Sequence, residues 1–131
     1  MKNIKSLMPD TKPAKLRKFL TNGPGYIGYT RQADIFKPII AAVNGYALAG
    51  GLEIACLADI RIAEEHAEFG VACRRFGVPL VDGGTQRLPR IIGMGWAMEL
   101  IITGKFIGAE EAYRMGLAKE GVPKGKSLQR A

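Results

Sequence analysis

A chain of 131 residues, 47% apolar and 24% charged, has the length of one domain and enough apolar side chains for a core, which excludes a disordered polypeptide. The net charge of +7 favours anionic partners, yet the basic residues are spread along the chain without an aromatic-interleaved stripe, which argues against nucleic acid. No apolar run reaches the ~18 residues of a membrane span, and Met1-Lys2-Asn3-Ile4-Lys5 lacks the apolar core of a leader, so the expectation is a cytoplasmic protein with no membrane partner.

Residues 1–22 are basic and contain Pro9 and Pro13. Thr11 is placed to cap a short helix over Pro13–Leu20, with Leu16, Phe19 and Leu20 in partial apolar spacing. Asn22-Gly23-Pro24-Gly25 breaks the chain, and Arg31–Lys37 reads as another short helix before Pro38. Ile39-Ile40-Ala41-Ala42-Val43 is a continuous apolar run ending at Asn44-Gly45, the pattern of a strand buried on both faces. The segment from Tyr46 to Gly51 leads into a helix over Leu52–Ala58, and Ile60-Arg61-Ile62-Ala63 is a second strand. Strand, glycine turn, helix and strand make a βαβ unit, so the two strands are expected to be parallel.

Phe69–Gly84 is rich in Gly and Pro and reads mainly as loop. Gly84–Ile92 reads as helical despite Pro89. Met94–Thr103 is a helix ended by Gly104, with Trp96, Leu100 and Ile101 at core spacing, and Ala109–Met115 is a helix stopped by Gly116. Residues 118–131 turn polar and basic, as a tail or the start of another element. Cys56 and Cys73 read as reduced thiols; neither has metal-ligand spacing and the single His66, read as exposed, cannot complete a metal site. Tyr46 is expected to pack beside the strand end, and Arg87 and Arg90 to pair with acids or to reach a phosphate.

The chemistry lies in Ala47-Leu48-Ala49-Gly50-Gly51-Leu52-Glu53. A Gly-Gly step entering a helix lets a ligand approach backbone N–H groups that have no partner within the helix, where the helix dipole adds positive potential. A carbonyl oxygen gaining negative charge is stabilised there. Glu53, three residues after Gly50, shares that first turn and is placed to handle a proton beside the activated carbonyl. Taken alone, the same pattern also describes a tight turn followed by a glutamate favoured by the helix dipole.

The surroundings decide between the two. Lys37 through Cys56 resembles the signature of the crotonase, or enoyl-CoA hydratase/isomerase, family. Further matches follow in register: Ala58-Asp59-Ile60-Arg61-Ile62-Ala63, Ala67-Glu68-Phe69-Gly70, Gly83-Gly84-Thr85-Gln86-Arg87-Leu88-Pro89-Arg90, Leu100-Ile101-Ile102-Thr103-Gly104 and Ala109 through Leu117. The resemblance spans about residues 37–123 and implies an α/β fold, a single partial domain over 1–131 built as a crotonase-like ββα spiral. It implies Glu53 as the first catalytic glutamate and Gly50 as an oxyanion donor, with Ala49, Gly50, Gly51 and Cys73 lining the substrate site. It implies an acyl-CoA thioester as substrate, coenzyme A only as part of that substrate, no metal or other cofactor, and a homo-oligomer, trimeric or hexameric.

The family's second catalytic glutamate falls on Cys73, which leaves one-carboxylate chemistry open and puts two-carboxylate hydration in question. Asp82, in the following loop, is either a turn-supporting aspartate beside Gly83-Gly84 or a partial substitute for that acid. Members of the family place a second oxyanion donor in an Ala/Ser-Gly-x-Asp-Leu segment upstream of the matched region and covering helices downstream of it, so the sequence reads as truncated at both ends. The alternative to an enzyme is a catalytically silent remnant that binds acyl-CoA weakly or only self-associates.

Overall fold

The computed structural model describes residues 13–22 and 35–131. Helix α1 covers Pro13–Asn22, with Pro13 at the first helical position, where its missing N–H costs nothing. The Thr11 cap, the side chains of Leu16, Phe19 and Leu20, the break at 23–25 and residues 31–34 of the expected second helix lie outside the described residues. Ile35–Lys37 is not helical. Lys37 precedes Pro38, whose ring disfavours the α region at the residue before it.

From Ile40 the chain runs through a ββα repeat. Strand β1 (Ile40–Val43) and strand β2 (Tyr46–Leu48) are joined by Asn44-Gly45 and followed by helix α2 (Gly50–Ala55). Strands β3 (Ile60–Glu64) and β4 (Glu68–Gly70) repeat the pattern. Each strand pairs in parallel with its counterpart one repeat later: Ile40 with Ile60 through Val43 with Ala63, and Tyr46 with Glu68 through Leu48 with Gly70. Asp59 pins the first pair, its Oδ2 accepting from Ile39 N–H at 2.8 Å while its own N–H donates to Ile39 O at 2.9 Å.

The expected α/β architecture and parallel βαβ pair are therefore present. Beyond β4 come a 3₁₀ segment (Ala72–Phe76), helices α3 (Gly84–Ile92) and α4 (Met94–Thr103), strand β5 (Phe106–Gly108), helix α5 (Ala109–Arg114), strand β6 (Glu120–Val122) and helix α6 (Ser127–Arg130). The two sheets have the orders β1-β3-β6, all parallel, and β2-β4-β5, in which β5 is antiparallel. Phe69, Leu52, Leu88, Leu100, Ile107 and Leu117 form the centre of the core that α2, α3 and α4 close over.

Several expectations are corrected. Among the described residues β1 is a half-buried edge strand with Ile40 exposed, and β3, flanked on both sides, is the buried one. α2 starts two residues earlier and stops at Ala55, and the Arg61 side chain donates to the Ala55 and Ala58 carbonyls at and beyond its end. The 69–84 stretch holds the end of β4 and the 3₁₀ segment, and the polar C-terminal stretch contributes β6 to the first sheet. Trp96 and Tyr46 are exposed, at 48% and 78%. α4 is apolar almost all round, and its Ala97–Leu100 face is the one that enters the core.

Candidate active site

Ala49 sets the direction of the site. Its N–H donates to Gly70 O at 3.0 Å, continuing the β2–β4 ladder one residue past the strand. Its φ of 52° and ψ of −121° then turn the chain sharply into α2. Such a conformation in a residue with a Cβ costs of order 1–3 kcal/mol and persists where its surroundings enforce it. The turn aims the Ala49 carbonyl into the helix, where it accepts from Leu52 N–H at 3.0 Å and Glu53 N–H at 3.2 Å.

A trans peptide holds its N–H antiparallel to its C=O. The Gly50 N–H therefore points out of the helix start, and among the described residues it meets no acceptor. At Gly51 a Cβ would touch only Tyr46 O, at 3.8 Å, so the space in front of the Gly-Gly step is open on that side among the described residues.

Glu53, 2% exposed, reaches from the first turn of α2 across to the start of α3. Its Oε1 accepts from Gly84 N–H at 2.8 Å and Asp82 N–H at 2.9 Å. Gly84 opens α3, so the carboxylate satisfies one of that helix's unpartnered donors and sits at the positive end of its dipole. Gly84 is glycine for a steric reason: a Cβ there would lie 2.8 Å from Glu53 Cγ and 2.9 Å from Oε1. Glu53 Oε2 has no hydrogen bond among the described residues. Burial pushes the Glu53 carboxyl above its ordinary range, against the lowering effect of the Gly84 and Asp82 amides, and the Asp82 charge pushes the same way as burial.

Cys73, in the 3₁₀ segment, is partly buried against the core. Burial, and then the charge of Glu53, raise its thiol, so the two groups lie within electrostatic reach of each other. Cys56 ends α2 deep in the core, and burial pushes its thiol up to about 11. Arg87 braces the loop before α3, its Nη1 donating to Asp82 O at 2.7 Å. Among the described residues no group of His, Cys, Asp and Glu is arranged to hold a metal, and no helix is long and apolar enough to cross a membrane.

The structure thus brings Ala49, Gly50, Gly51 and Glu53 together at one helix start, with Cys73 in the 3₁₀ segment within electrostatic reach of the carboxylate. Sequence reasoning missed the Asp82 and Gly84 amides that hold Glu53. The available signal was Gly83-Gly84, a second Gly-Gly step entering a helix. Two backbone amides holding a buried carboxylate, next to an outward-pointing amide at a helix start, can bind a carbonyl oxygen that gains charge and exchange a proton beside it.

A family model described as enoyl-CoA hydratase/isomerase matches residues 13–131. The short-chain-enoyl-CoA hydratase of Clostridium acetobutylicum is 50% identical over 95 residues, 72% of this chain and 36% of that protein. The crotonyl-CoA hydratase of Syntrophomonas wolfei is 50% identical over 86 residues, 66% of this chain and 33% of that protein. The crystal structure of the enoyl-CoA hydratase from Bacillus anthracis superposes with a TM-score of 0.78 at 36% identity, covering 92% of this chain and 46% of that one. The chain spans about a third of the length of the curated relatives it matches.

Proposed function

The chain belongs to the enoyl-CoA hydratase/isomerase family, and from that premise we propose that its site acts on an enoyl-CoA thioester by way of an oxyanion-stabilised enolate. One observation carries the reading: Glu53 is locked at Oε1 by two amides while Oε2 stays unbonded among the described residues, on the same helix turn as the outward Gly50 N–H. The thioester oxygen lies against Gly50 N–H, with Ala49 and Gly51 lining its approach. In hydration, water oxygen bonds to the β-carbon, its proton passes to Glu53 Oε2, and the enolate collapses as that proton returns to the α-carbon. In isomerisation, Glu53 takes a proton from one carbon and returns it two carbons away. Both need a single carboxylate, which matches a site with a thiol at Cys73, raised further from ionisation by burial. Coenzyme A enters only as part of the substrate, and no metal has a part.

Chains of this kind self-associate in this reading. Met94, Met98 and Ile102 recur every fourth residue as an exposed apolar stripe on α4, which supports a homo-oligomer, trimeric or hexameric. The free thiols of Cys56 and Cys73 support a reducing, cytoplasmic setting.

A second reading, acyl-CoA binding without turnover, is favoured by the thiol at Cys73, where the family's second acid belongs. Crotonyl-CoA separates the two. Loss of enoyl-thioester absorbance in the parent, reduced ~10²–10⁴-fold in Glu53→Gln, supports the enzyme. Calorimetric binding with no absorbance change in either protein supports the second reading.

A further inference from the structure

The turn between β3 and β4 places His66 against two elements at once. The Ala67 N–H closes this turn on Glu64 O at 2.8 Å. The His66 side chain, 41% exposed, meets the Asn44 carbonyl through Nε2 at 3.2 Å on one side and Glu64 Oε2 through Nδ1 at 3.9 Å on the other. Asn44 belongs to the turn that joins β1 to β2. Glu64 is buried, and its other oxygen holds the start of α6 through the Ser127 hydroxyl and amide. A carbonyl only accepts, so Nε2 carries the hydrogen of the Asn44 bond whether the ring is neutral or charged. In the neutral ring Nδ1 is then a bare lone pair, and it faces a carboxylate that has only lone pairs to offer. One further proton turns that repulsive contact into an ion pair.

We propose that His66 is a proton-operated clasp, which in its charged form ties the β1–β2 turn to the start of α6 through Glu64. Glu64 is ready for this partner. The Gly125 amide and then the Ser127 hydroxyl hold its carboxyl below the ordinary range, so it is ionised where a histidine gains its second proton. The other charged groups around the ring leave the pair alone. Glu65 and Glu68 flank His66 along the chain, and among the described residues neither forms an ion pair with it. From the side of α6, Lys126 Nζ donates to Gln129 Oε1 at 3.4 Å, Arg130 Nη2 reaches Glu120 Oε2 at 2.7 Å, and Lys124 is exposed. Asn44 and Gly45, on the β1–β2 side, carry no charge. The added stability belongs to the charged ring, so it is present at about pH 5.5 and is lost as the pH rises toward about 8 and the second proton leaves. The β1–β2 turn and α6 are therefore linked in mild acid and lose that link above neutrality.

The test compares melting temperatures at about pH 5.5 and about pH 8 for the parent, His66→Gln, Glu64→Gln and the double variant. Glutamine at 66 keeps an N–H for the Asn44 carbonyl and takes up no proton. The expected result is that His66→Gln lowers the melting temperature by about 2 °C more at the acid pH than at the alkaline one. On the Glu64→Gln background the same substitution has an equal effect at both. A loss that is equal at the two pH values in the presence of Glu64 overturns the proposal, and so does a pH-dependent loss that persists in its absence. Should heating aggregate the protein, the Ser127 amide decides by nitrogen-15 NMR, because it donates to Glu64. Its resonance is expected to move between the two pH values in the parent and to stay in place in His66→Gln. A resonance that moves in both proteins, or in neither, overturns the clasp.

Discussion

Glu53 is held by contacts that leave its neighbours almost no choice of side chain. Gly84 shows this most directly, because the atoms a Cβ would strike are those of the carboxylate itself. Of the groups in that contact, the glutamate side chain is the one free to rotate, while the α3 backbone is not. Gly84→Ala is therefore expected to leave the fold standing and to displace the carboxylate. Misplacement of a reacting group by ~1 Å costs on the order of 10²-fold in rate. The variant should show a melting temperature close to the parent and crotonyl-CoA turnover reduced by about that factor. A parent-like rate would mean that Glu53 tolerates movement and is not the proton-handling group.

At the scale of elements, the three-residue strands are held by pairing and by single core side chains such as Phe69 and Ile107. Gly70 lies between Leu48 and Phe106, and a Cβ there would collide with Phe106 Cδ1 and come 3.0 Å from Lys105 O. The ring can shift but the carbonyl belongs to the β5 backbone, so Gly70→Ala should separate β4 from β5 at a cost of about 1–3 kcal/mol, read as a lower midpoint in urea denaturation. Such strands explain what the sequence hides. β1 and β3 are legible as apolar runs between turn residues, and α4 and α5 as helices ended by Gly104 and Gly116, which have φ values of 63° and 80°. β2, β4 and β5 are too short for any period to emerge, and they exist because distant strands pair with them. The site divides the same way. Ala49 to Glu53 was readable because a glycine step and an acid are side-chain signals. The Asp82 and Gly84 amides were not, because a backbone donor looks alike at every residue.

Across the whole molecule, β3 ties the early and late parts of the fold together through two buried charged side chains. Arg61 donates from Nε to Leu117 O at 2.6 Å and from Nη1 to carbonyls at the end of α2, joining the site helix to the segment before β6. Glu64 Oε1 accepts from Ser127 Oγ at 2.8 Å and Ser127 N–H at 3.2 Å, holding α6. The Gly125 amide and then the Ser127 hydroxyl lower the Glu64 carboxyl below its ordinary range. A lowered folded-state value means that this stabilisation is complete above the unfolded-state range, near pH 4.3, and is lost as pH falls through the folded value. Glu64→Gln should therefore melt below the parent at pH 7, and the difference should shrink toward zero as the pH drops below about 4, measured by thermal melts across that range. The donors traced at Gly50, Asp82 and Gly84 share one property: each is a main-chain amide. Such a donor is encoded by the path of the chain and survives any replacement that leaves that path alone. A lineage built on this scaffold is free to exchange the acids and thiols near these amides while inheriting the amides themselves unaltered.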